Sequence, residues 1–216
     1  MNKAFNPIDH TFTTTDFAVV AALLDYHGLP YSVRSLNDYL HHHNFGTLMT
    51  EVADCLLQHG LDTTLVSANP ELFSRVIWRK LFLLDYPKTD PNRLPTMNEV
   101  ERVIAKGVIL RQALASELII DEQLEQQQPV IISYNPKLVD PLRSNSITLG
   151  IITAQEGDHY QLFEPFYENA LELRPKKSVI LAIHAVQSPD PSAKSIIFSK
   201  VHTPKPKAPP GPLPEI

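Results

Sequence analysis

TTTDFAVVAALLDYHG, residues 13–28, is the stretch from which the rest of the chain is best approached. From Phe17 to Leu24 it carries no charged or hydrogen-bonding side chain, so a helix over 15–27 has no polar face to turn to water and must lie inside the molecule. Thr14, Thr15 and Asp16 supply N-cap and first-turn residue types, which accept hydrogen bonds from free backbone N–H groups and suit the positive end of the helix dipole. Gly28 supplies the stop.

Outward from this helix, apolar periodicity predicts helices over 33–42 and 48–59, the latter with Leu48, Val52, Cys55 and Leu56 on one face and Gly60 at its end. A short strand is expected over 63–66. An amphipathic helix over 70–85 follows, with Phe73, Ile77, Trp78, Leu81 and Phe82 as its core stripe. Residues 87–95 hold three prolines and read as a loop. A helix over 97–106, an extended piece over 108–111 and a helix over 120–127 lead to VIISY within 129–134, a buried strand. ITLGIITA and HYQLF flank the turn Glu156-Gly157-Asp158, LEL follows, and a last strand is expected over 195–199. Residues 178–186 fit helix or strand. Helices first and antiparallel strands later indicate an α+β domain over 1–202, with an expanded middle at 70–106. The proline-rich 203–216 reads as a flexible tail.

Composition narrows the function classes. The net charge is −5, and no Lys/Arg cluster forms a stripe, so nucleic acid is not an expected partner. No apolar run reaches membrane-span length and no secretory signal opens the chain, so a soluble, cytoplasmic protein without membrane insertion is expected. A single cysteine, Cys55, excludes an internal disulfide and a thiolate metal cluster.

TTTDFAVVAALLDYHG, then GTLMTEVADCLLQHGLDT, then IIDEQLEQQQPVIISYN and SITLGIITAQEGDHYQLFEPF together resemble the bacteriocin-processing leader peptidases that cap certain peptide exporters, and their stand-alone relatives. The resemblance covers most of residues 9–200. It implies a papain-like fold of bacterial type, N-terminal helices packed on a C-terminal antiparallel sheet. It also implies positions for the machinery, and there this chain departs. Counting back from Gly28 places Thr15 where the nucleophilic cysteine belongs. The oxyanion-hole glutamine falls near Asp9 or His10. The histidine position falls near Ser146, or at Thr148 if the register differs by two. The acidic orienting residue is retained as Glu164 before Pro165.

A thiol nucleophile works because an adjacent imidazole and a helix N-terminus hold it as thiolate. A threonine hydroxyl is a far weaker acid and needs a positioned base, whereas serine at the base position accepts no proton near neutral pH. Asp16 would repel a developing oxyanion. The expectation is therefore a catalytically inactive peptidase-like domain, leaning against an enzyme. Its former substrate groove, around Thr14, Thr15, Asp16, Asn145, Ser146 and Glu164, would bind a peptide or protein segment, such as an exported peptide or its leader. Two other readings stand beside it: a rewired hydrolase or acyltransferase using Thr15 or Ser146 with His10 as base, and an adaptor acting through its proline-rich tail. No cofactor and no metal are expected, since His41, His42 and His43 point in different directions on a helix. Cys55 reads as a small core residue.

Overall fold

The structure, a computed structural model, describes residues 14–41, 47–73, 96–165, 171–188 and 190–202, with 96–98 in backbone only. The expected buried helix is α1 (Thr15–His27), whose residues Ala18 to Leu24 are all buried. Val19, Val20, Leu23 and Leu24 are fully buried, worth roughly 1.5–3 kcal/mol each. Gly28 ends it at φ 70°, a left-handed conformation in which its N–H reaches back to the Asp25 carbonyl at 2.9 Å.

α2 (Val33–Asn37) opens on a capping box between Ser32 and Ser35 and stops after Asn37. The helix expected over 33–42 is thus shorter: Asn37 and Asp38 favour local backbone bonds over helix continuation. α3 (Met49–Gln58) and β1 (Leu61–Ser67) follow, joined through Gly60 at φ 90°. Residues 70–73 are helical; most of the helix expected over 70–85, including Ile77, Trp78, Leu81 and Phe82, and the loop over 87–95 lie outside the described residues. α4 (Thr96–Lys106), β2 (Ile109–Gln112), α5 (Glu117–Glu125) and β3 (Val130–Tyr134) come next. Then follow β4 (Thr148–Glu156), β5 (His159–Phe163), β6 (Leu171–Pro175), α6 (Lys176–His184) and β7 (Ile196–Val201). The ambiguous stretch 178–186 is helical as far as His184, because Val179, Ala182 and Ile183 bury together at i, i+3 and i+4.

Among the described residues, seven strands form one sheet in the order β2-β1-β7-β3-β4-β5-β6, with β1 and β2 parallel and every other neighbour antiparallel. The α+β expectation holds, with one refinement: strands from the helical half join the sheet, and the last strand, β7, is inserted at its middle. Helices cover both faces. α1 and α3 pack with Leu61, Leu65, Ile131, Leu149, Ile151, Phe163 and Ile197. The opposite face packs α5 and α6 against Val130, Ile132, Tyr134, Ile152, Tyr160, Leu162 and Ile196. Gly150 is required where β4 crosses Tyr134: a Cβ there would lie 3.1 Å from both Tyr134 Cε1 and Leu162 Cδ1.

Candidate functional site

The start of α1 meets the ends of β3 and β4 at a small pocket. Among the described residues it is lined by Asp16, Thr47, Met49, Ser133, Ile147, Thr148, Leu149, Ser188, Asp190 and Ala193. Its cavity volume is about 30 Å³, room for one or two waters and far below the several hundred Å³ of a drug-sized ligand site. It is a notch into which a narrow segment or a single small side chain fits.

Both of its carboxylates belong to helix starts. Asp16 is in the first turn of α1, whose N-cap Thr14 makes no capping bond; Thr14 Oγ1 is buried with no hydrogen-bond partner among the described residues. Asp190 reaches the start of α3 through Ser192. The Met49 N–H donates to Ser192 Oγ at 3.2 Å, and Ser192 Oγ donates to Asp190 Oδ2 at 2.6 Å. Leu48, the N-cap of α3, has no side chain able to cap, so residues 141 positions or more away in sequence supply what the local sequence lacks. Neither the cap nor the second carboxylate was visible from the sequence, because the contact is made only when β7 enters the middle of the sheet.

Thr15 is the first residue of α1 and half-buried. Ser146 is exposed, its hydroxyl 2.8 Å from that of Ser144, and it does not line the pocket. Asn145 is exposed and accepts from Asn135 Nδ2 at 2.7 Å. Thr148 lies directly opposite Tyr134, on the face packed by α5 and α6. Alternation puts Leu149 and Ile151 on the face covered by α1. Ile147, just before β4 and 38% exposed, lines the notch together with Thr148 and Leu149, and it can neither donate nor accept a proton. Asp9 and His10 lie outside the described residues, as do His42 and His43. His41 pairs with Glu51 at 3.1 Å.

Glu164 follows β5 and is buried against the guanidinium of Arg143. Its other electrostatic neighbours, Glu172 and Arg174, lie opposite Leu162 and Tyr160 and so share the α5 and α6 face. Burial raises the Glu164 carboxyl, Glu172 adds to the rise and Arg174 opposes it. The balance leaves it at about 8, well above the usual carboxylate range. The acid is paired with Arg143 and does not line the notch.

Among the described residues, then, the notch holds hydroxyls, two carboxylates and aliphatic side chains, with no thiol and no imidazole on its walls. Cys55 is fully buried in α3, its thiol pushed up to about 12 by burial and by Asp54. No group of three or more His, Cys, Asp or Glu side chains among the described residues could hold a metal ion. No described helix is long and apolar enough to cross a membrane.

No family model matches the chain, and no curated protein matches it either. Solved structures do. A C39-like peptidase from Bacillus anthracis superimposes with a TM-score of 0.52 at 7% identity, over 88% of this chain and 90% of that one. The peptidase domain of Streptococcus ComA, a bi-functional ABC transporter involved in quorum sensing, is matched over 94% of this chain and 100% of that domain, at TM-score 0.48 and 12% identity. The fold is that of the papain-like C39 peptidase domains.

Proposed function

We propose that this chain is a non-catalytic peptidase-like domain that holds a peptide or protein segment in the groove running past the start of α1. One observation carries the reading: where the start of α1 meets the start of β4, the described residues lining the notch bring hydroxyl, carboxylate and apolar side chains, with neither a thiol nucleophile nor an imidazole base among them. Asp16 and Asp190 beside the notch disfavour a thiolate or an oxyanion there. Peptide capture needs only shape and backbone hydrogen bonds, which survive loss of the nucleophile. An exported peptide or its leader is the partner class that fits a narrow groove on this fold.

The test is binding of a phage-displayed peptide library to the full chain, followed by calorimetry on the selected peptides. Ile147→Trp fills the notch from an exposed position, and Asp16→Lys inverts its charge. Each is expected to weaken the selected peptides roughly tenfold or more, with no cleaved product by mass spectrometry. Unchanged affinity in both variants, or peptide cleavage by the unmodified chain, overturns the proposal.

A further inference from the structure

β6 is the last strand of the sheet, paired to β5 on one side and to no described strand on the other. An open edge offers a row of backbone donors and acceptors to another chain, and edges left so are ordinarily blunted by charge, bulges or cover. This one carries leucines. Leu171 and Leu173 are 45% and 52% exposed and point to the α1 face, while Glu172 and Arg174 point to the other. Beside the edge stands Leu142, 96% exposed. It is held in place rather than loose: its N–H donates to Asp140 Oδ1 at 3.0 Å, and Asp140 Oδ2 lies 3.6 Å from the Arg174 guanidinium.

We infer that β6 pairs antiparallel with β6 of a second copy of this chain, about a two-fold axis through Leu173. The order of residues carries the inference. In LELRP, residues 171–175, antiparallel self-pairing centred on Leu173 sets Glu172 opposite Arg174 of the other copy, Arg174 opposite its Glu172, and the two Leu173 side chains together. Leu171 meets Pro175 at the ends, where a missing N–H does least harm to the ladder. Both ion pairs form at once, as a two-fold contact demands. Glu172 and Arg174 are 29% and 19% exposed, so each can be shared with a partner strand. The opposite edge, β2, lacks this property: ILRQ has one charged residue, and self-pairing would put Arg111 against Leu110. The pairing joins two sheets into one of fourteen strands and leaves the notch beside α1 uncovered, so it stands or falls independently of peptide binding.

Sedimentation velocity on the full chain, from low micromolar to several hundred micromolar, reads the association directly. The unmodified chain is expected to form a dimer. Glu172→Arg and Arg174→Glu each place like charges across the axis and are expected to weaken self-association roughly tenfold or more. Mixed in equal amounts, the two variants restore both ion pairs and must form a heterodimer. Leu173→Lys, at an exposed position outside the charge cluster, must also give a monomer, which guards against a folding defect in the charge variants. A chain monomeric throughout, a charge variant that dimerises like the parent, a mixture that does not associate, or a dimeric Leu173→Lys overturns the inference.

Discussion

Arg143 and Glu164 close on one another with side chains only 7% exposed apiece, tying the loop between β3 and β4 to the end of β5 on the sheet face away from α1. Removing one member of such a pair strands the other charge in a dry site. Arg143→Ala is expected to cost about 3–5 kcal/mol in chemical denaturation, whereas the apolar pair Arg143→Met with Glu164→Leu recovers most of it.

The same single variant carries a pH signature. Burial and Glu172 already raise the Glu164 carboxyl to about 8 in the folded parent. A raised carboxyl contributes stability below its unfolded pKa, about 4.3, and loses it as pH rises through the folded value. The parent should therefore lose stability as pH rises toward about 8, and Arg143→Ala, which removes the adjacent cation, should steepen that slope and be less defective in mild acid than at neutral pH. Denaturant midpoints across that range measure it.

The pairing also shows where the sequence is and is not legible. α1 could be read because an all-apolar run ending in a left-handed glycine has one outcome, a buried helix, and VIISY because a short apolar run before a turn has few. The strand pair around Gly157 was likewise local. Side-chain facing at the start of β4 was not, since a shift of one residue exchanges the two faces of a strand. Ser146 and Thr148 both fit the motif spacing, yet Ser146 lies outside the notch while Thr148 and its neighbour Ile147 line it. Glu164 pairs with Arg143, an arginine from another loop. Ser192, capping α3 from the approach to β7, had no local signal at all.

Cys55 offers a readout of global unfolding. Its thiol sits at about 12, raised by burial first and by Asp54 second, against about 8.5 in an unfolded chain. The protonated thiol is thus favoured by folding. Its contribution is complete below the unfolded pKa and fades as pH climbs from there toward 12. Iodoacetamide at mildly alkaline pH should leave the native chain unlabelled and modify it quantitatively in denaturant. Fast native labelling, followed by mass spectrometry, would contradict the burial of α3.

Asp54 separates buried from exposed electrostatics. Its carboxylate is 1% exposed and receives Arg102 at 2.8 Å and Lys106 at 2.7 Å, which are 42% and 32% exposed. Asp54→Ala is expected to cost about 3 kcal/mol or more, since a satisfied buried carboxylate and two cation partners are lost together. Arg102→Ala should cost about 1 kcal/mol or less, because Lys106 remains and the guanidinium is largely in water. Equal losses in thermal or chemical unfolding would mean that α4 does not hold α3 through this carboxylate.

Ser192 connects stability to the groove. Its hydroxyl accepts from the first N–H of α3 and donates to Asp190, and Met49 and Asp190 are both walls of the notch. Ser192→Ala leaves a buried N–H and a buried carboxylate each short of a partner, at a cost of about 1–3 kcal/mol. Ser192→Thr keeps the hydroxyl and should retain most of the lost stability. If the groove holds peptide, Ser192→Ala weakens the selected peptides beyond any loss traceable to unfolding, because the wall formed by Met49 and Asp190 is no longer held, and Ser192→Thr restores them. Calorimetric affinities measured well below the melting temperature of each variant separate the two effects. Full affinity in a destabilised Ser192→Ala would confine this network to holding the fold.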